Sequence, residues 1–158
     1  MKKILIALAA VAALAPTAPA FAQSAANAND EMQLLISQIQ TDKRAVVLSA
    51  LGLTDAEVGA FTPIYDEYQA EMKQHFTRGG ELLNKYAANY DSMTDKAAKD
   101  LLKELFSQRE ERTKTLKKYA KKLEAKLPAT KVLRFVQIEN KLTTLLDWQA
   151  AQVIPLAK

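Results

Sequence analysis

A capping box fixes one helix start in this chain, and the pattern behind it leaves little room for anything but an all-α fold. In Thr54-Asp55-Ala56-Glu57 the Thr54 hydroxyl is placed to accept the Glu57 amide, and the Glu57 carboxylate to reach back to the Thr54 amide. Leu53 before the cap and Val58 at the fourth helical position are spaced as a hydrophobic staple, and Asp55 and Glu57 suit the positive end of the helix dipole. Phe61, Tyr65, Tyr68, Met72 and Phe76 then recur at spacings of four, three, four and four, which is one face of a helix. Only four glycines and five prolines punctuate the 158 residues, so such helices can run long.

The same periodicity predicts four helices. The first spans Asp30 to about Ala50, with Leu35, Ile39, Val46 and Ala50 on one face and Ile36, Val47 and Leu51 beside it; Gly52 follows where a helix stop favours a left-handed residue. In the second, Pro63 removes the hydrogen bond to the Gly59 carbonyl, and a kink rather than a break is expected because the apolar period continues through Leu82, Leu83, Tyr86 and Tyr90. Asp91 to Asp95 reads as a turn, with Thr94 capping a long third helix that ends near Leu127, about 50 Å at 1.5 Å per residue. The middle of that helix, Ser107 to Thr115, contains no apolar residue. A closed bundle would not keep so polar a waist in its core, so the expected shape is an elongated, curved helical hairpin or open bundle. Pro128 opens the fourth helix, whose wide apolar arc (Val132, Phe135, Val136, Leu142, Leu145, Leu146, Trp148, Val153) needs partners on two sides, from the same chain or from a second copy in a homodimer.

Residues 1–22 carry the three parts of a secretory signal peptide: Lys2 and Lys3, an apolar run from Ile4 to Leu14, and Ala20-Phe21-Ala22 after the prolines Pro16 and Pro19. The run is too short for a spanning helix, so no integral membrane segment is expected once the leader is cleaved. Residues 23–29 read as a small, polar, disordered lead-in and 30–154 as one helical domain. An exported, periplasmic protein follows. Without Lys2 and Lys3 the 22 basic and 18 acidic residues become 20 against 18, so the charge balance says little about nucleic acid, and no nucleic-acid partner is expected in the periplasm. The absence of cysteine excludes disulfides and thiolate chemistry.

Enzyme signatures are missing: there is no phosphate loop, nucleophile elbow or paired-histidine zinc motif, and His75 is the only histidine. No metal or cofactor is expected, and His75 reads as an exposed or half-buried helix residue. The adjacent acidic pairs Asp66/Glu67 and Glu110/Glu111 point to different sides of their helices and read as solvated. More informative is the basic run Arg112, Lys114, Lys117, Lys118, Lys121, Lys122 and Lys126, set opposite Leu116, Tyr119 and Leu123. It is either a solvated face or a surface for acidic partners. The aromatic stripe of the second helix is likewise either core or a partly exposed cradle for unfolded chains. Phe61, Tyr65, Tyr68, Met72 and Phe76, with Lys117, Lys118, Lys121 and Lys122, are therefore the candidate client-binding residues.

An exported, cysteine-free chain with Leu53-Thr54-Asp55-Ala56-Glu57 opening its second helix resembles the LTxxQ-motif periplasmic family, the Spy/CpxP-like proteins. That family carries a second motif at the start of its last helix, where this chain has Leu127-Pro128-Ala129-Thr130-Lys131; Glu57 stands for glutamine in the first motif, and Pro128 and Lys131 for threonine and glutamine in the second. The resemblance implies a curved helical hairpin, often dimeric, that holds unfolded envelope proteins without ATP or serves as an accessory to a stress sensor. The alternative is a structural or regulatory module recognising one specific envelope partner.

Overall fold

The computed structural model describes residues 43–157, which are helical except for short connections. Helix α1 covers residues 43–51, α2 Asp55–Asn89, α3 Asp95–Glu124 and α4 Ala129–Val153, with one turn of 3₁₀ helix at Tyr90–Ser92 between α2 and α3. The expected leader, the lead-in and the first part of the first helix, up to Asp42, lie outside the described residues.

Each boundary has a local cause. Gly52 ends α1 with φ +59°, the left-handed conformation expected of it, and its amide donates to the Leu48 carbonyl at 3.3 Å. The capping box forms: the Thr54 amide donates to Glu57 Oε2 at 2.8 Å, and the Glu57 amide donates to Thr54 Oγ1 at 3.4 Å. Thr94 caps α3 by accepting the Ala97 amide at 3.2 Å. Pro128 precedes α4 without a side-chain cap, and Pro155 follows its end.

Helix α2 runs for 35 residues without a break through both Pro63 and Gly79-Gly80, as the continuing apolar period predicts, and α3 for 30. Helix α3 stops at Glu124 rather than near Leu127, where the Lys126 and Leu127 amides both turn back to the Leu123 carbonyl. At 1.5 Å per residue the two helices are about 50 and 45 Å long. They form the hairpin, with α4 returning antiparallel along α3 and α1 packed at the end where α4 begins.

The core lies at that end. Phe61, Tyr65, Tyr68 and Met72 of α2 meet Tyr119, Leu123 and Leu127 from α3 and its exit turn, Val132 and Phe135 of α4, and Val47 and Leu51 of α1. The rings interlock: Phe61 stacks on Tyr65 at 5.0 Å, and Tyr68 meets both Tyr119 and Phe135 edge-on at 5.5 Å. Burying each such side chain is worth roughly 1.5–3 kcal/mol, which is ample to anchor four helices at one end. The inward face of α1 is the Val47/Leu51 face; Val46, expected on a core stripe, is half exposed.

One charged pair is sealed in this core. Glu139 of α4 is 1% exposed and Lys43 of α1 7%, with Lys43 Nζ 2.7 Å from Glu139 Oε2. Tyr68 donates its hydroxyl to Glu139 Oε2 at 2.8 Å, Tyr65 to Oε1 at 3.4 Å, and Lys43 also reaches Gln69 Oε1 at 3.4 Å. Burial, reinforced by the Glu139 charge, holds both phenols well above their ordinary range, so they remain donors.

Candidate functional site

Where the sequence shows a polar waist, the structure builds an interhelical network. Arg78 of α2 donates Nη2–H to His75 Nδ1 at 2.8 Å. A guanidinium can only donate, so Nδ1 is the acceptor and the proton of a neutral ring sits on Nε2. Nε2–H then donates to Thr115 Oγ1 of α3 at 2.8 Å, and the Thr115 hydroxyl passes its own proton to Glu71 Oε1 at 3.0 Å. Glu71 Oε2 accepts from Lys118 at 2.6 Å and Tyr119 at 3.0 Å, and Arg78 pairs with Glu111 at 2.7 Å. Gln108 donates to the Arg78 carbonyl at 3.2 Å.

The electrostatics agree with these roles. Burial, then the Arg78 charge, lowers the pKa of His75, which keeps the ring neutral. The hydrogen bond from Lys118, followed by those from Thr115 and Tyr119, holds Glu71 below the usual carboxylate range. Burial raises Tyr119, with the Glu71 contact adding to it. His75 is thus buried and engaged on both nitrogens, not an exposed or half-buried helix residue as expected. Its basic lone pair is occupied by Arg78, and Thr115 directs its proton to Glu71, so the cluster is not arranged as a nucleophile with its general base. It lines an open groove of about 630 Å³ with Glu67, Gln74 and Lys114.

The candidate client-binding residues separate into three groups. Phe61, Tyr65, Tyr68 and Met72 are core, facing other helices of the same chain, so the cradle expected from them does not exist as an exposed surface; the helical stripe packs inward because three helices converge on it. Phe76 is half-buried under the Arg112 guanidinium, 5.5 Å from its ring centre. The four lysines remain exposed but are not equivalent. Lys118 and Lys122 reach across to Glu71 and Glu67 of α2 at 2.6 Å each and flank the Tyr119 ring at 4.9 and 4.7 Å. Lys117 and Lys121 make no ion pair among the described residues and face water.

In the capping motif, Leu53 packs against the core and Thr54 and Glu57 bond to each other as described. Lys131, in the second motif position, donates its ammonium to the carbonyls of Leu51 and Gly52 at 3.0 and 2.5 Å, closing the C-terminus of α1 from α4. The starts of α2 and α4 therefore meet at one corner of the core.

Large apolar side chains also point outward: Phe106 of α3 is 61% exposed and Trp148 of α4 62%, joined by Leu102, Leu133, Leu145 and Val153. Sequence reading placed Trp148 and Leu145 within one wide arc, and that arc could have announced an outward half. It missed Lys43 and Glu139, although Glu139 lies four residues after Phe135 and Lys43 four before Val47, both on core stripes. No group of acidic or histidine side chains that could hold a metal occurs among the described residues, and none of their helices is long and apolar enough to cross a membrane. Compared with family models, with curated proteins and with solved structures, the chain matches none.

Proposed function

We propose that this chain is an exported, periplasmic protein that holds unfolded envelope proteins without ATP, as a Spy/CpxP-like member of the LTxxQ-motif proteins. The observation that carries the reading is the outward apolar surface of α3 and α4, led by Phe106 and Trp148 at about three-fifths exposure. Phe106 and the unpaired Lys117 lie eleven residues apart, and so within about 20° of each other around α3. An apolar contact with a cation about 16 Å further along the same helix face suits unfolded chains of varied sequence, which offer hydrophobic side chains and carboxylates without a fixed shape. The leader features in residues 1–22 support export, and the paired helix starts at Thr54 and Lys131 support kinship with the two-motif family. The expected client surface is accordingly moved from the aromatic stripe of α2 to the outward faces of α3 and α4.

Light scattering tests the reading. Equimolar protein should delay aggregation of two unrelated, chemically unfolded clients without nucleotide. Protection of neither would refute holding activity. Protection limited to one partner would favour the single-partner module instead.

A further inference from the structure

On α3 the side turned to α2 is one stripe: Glu104, Gln108, Glu111, Thr115, Lys118 and Lys122 all bond to α2. Across the helix from that stripe, at about 100° per residue, lie Lys99, Leu102, Phe106, Arg109, Thr113 and Lys117, all exposed. Helix α4 turns Phe135 and Glu139 to Tyr65 and Tyr68 of α2. Across α4 from those two residues lie Leu133, Gln137, Lys141, Thr144 and Trp148, again all exposed. Arg112 pairs with Asp147 at 3.7 Å, so α3 and α4 run side by side against α2. Their two outward rows therefore form one face, on the side of the molecule away from α2.

This face sets the large apolar side chains Leu102, Phe106, Leu133 and Trp148 among the cations Lys99, Arg109, Lys117 and Lys141, which make no ion pair among the described residues. From Lys99 to Lys117 it is about 27 Å long. Its nearest carboxylates are Asp95 and Glu124 at the ends of α3, and Glu110 and Asp147, which are already met by Lys114 and Arg112. Negative charge collects on the other side, since α2 carries more acidic than basic side chains and α3 the reverse.

We propose that this face docks on an anionic lipid surface. The groove of the molecule opens between α2 and α3, and the outward rows of α3 and α4 offer a broad side rather than a pocket, which fits a surface. Cations spread along it meet headgroup phosphates, and the Phe106 and Trp148 rings settle at the headgroup boundary. The acidic excess of α2 turns away from the lipid and orients the protein. None of the described helices is long and apolar enough to cross a membrane, so the contact is peripheral. Lipid docking goes beyond client holding and is read by a separate assay.

Trp148 is the only tryptophan, so its emission reports on this face in the full chain. A local readout is needed because the apolar run from Ile4 to Leu14 would bind lipid by itself. Vesicles of equal phosphatidylglycerol and phosphatidylcholine should move the emission to shorter wavelength, and vesicles of phosphatidylcholine alone should not. Salt at about 1 M, where the Debye length is about 3 Å, should reverse the shift. Each lysine near an anionic surface changes the partition about fivefold, so Lys99→Gln with Lys117→Gln should raise the lipid needed for half the shift about 25-fold. With Trp148→Phe and Lys73→Trp together, the reporter stands exposed on α2 and should not respond. No shift with the mixed vesicles, an equal shift with phosphatidylcholine alone, an unchanged double-glutamine variant or an equal response from the α2 reporter would each overturn the proposal. An equal shift with soluble polyglutamate would overturn it in favour of acidic chains, and a shift that grows with protein concentration without lipid in favour of a second copy.

Discussion

Replacing Glu139 by glutamine keeps the shape of the side chain and removes its charge, which isolates what the buried pair contributes. Glu139 accepts from Lys43 at 2.7 Å and from Tyr68 at 2.8 Å while almost wholly excluded from water. In Glu139→Gln the amide oxygen can still serve Tyr68, but the Lys43 ammonium is left buried without a counter-charge. Breaking a buried pair from one side costs about 3–5 kcal/mol. The amide oxygen and Gln69 retain some hydrogen bonding for Lys43, so the lower end, about 3 kcal/mol, is expected. With a urea dependence of about 2 kcal/mol per molar, the unfolding midpoint falls by about 1.5 M. Adding Lys43→Met removes the stranded charge and should bring stability to within about 1 kcal/mol of the parent, since an apolar replacement for a buried ion is tolerated when both charges leave. A Glu139→Gln cost below about 0.5 kcal/mol, or a double variant no better than the single, would refute the claim that this pair is desolvated and locks α1 to α4.

Thr54→Ala should lower stability by about 1 kcal/mol through loss of the cap, whereas Thr130→Ala should cost less, because α4 starts at Pro128 without a side-chain cap; equal shifts in denaturant midpoint would contradict the assignment. His75 is held below its ordinary value of 6.5, so the unfolded chain binds that proton more tightly. The stability its neutral ring contributes is complete above that value and is lost as pH falls through the folded value. Between pH 7.5 and 5.5 the parent should lose more stability than His75→Gln, and parallel losses in urea titrations would show that the Arg78–His75–Thr115 chain is not proton-sensitive. Lys117→Gln with Lys121→Gln should weaken holding of acidic clients while leaving the thermal midpoint unchanged, whereas Lys118→Gln with Lys122→Gln should also lower the midpoint by separating α3 from α2; indistinguishable midpoints would contradict the division of the lysines.

The caps, the helix count and the hairpin were legible because they depend on neighbours in sequence: Thr54 with Glu57, Gly52 after Leu51, Pro128 before Ala129. The run of α2 through Pro63 and Gly79-Gly80 was legible as well, since the apolar period continues from Phe61 to Tyr90 across both breakers. The waist was legible as polar but not as an interface. Its residues were read as facing outward, yet His75, Arg78 and Glu71 of α2 answer Thr115, Glu111 and Lys118 of α3 across a gap that sequence spacing cannot see. The stripe from Phe61 to Met72 was correctly periodic, and only the arrival of Phe135, Tyr119 and Leu51 from three other helices assigns it to the core. Of the candidate client-binding residues the four lysines stay exposed, with Lys117 and Lys121 making no ion pair among the described residues, while the outward apolar residues Phe106 and Trp148 were not among the candidates.

The placement of clients on the outward faces of α3 and α4 is most directly tested by site-specific photo-crosslinking on the full chain. A photoreactive residue at Phe106 or Trp148 should form adducts with two unrelated unfolded clients, and one at Lys73, exposed on α2 away from the outward apolar side chains of α3 and α4, should form few. Adducts from neither Phe106 nor Trp148, or equal yields at all three positions, would contradict the account.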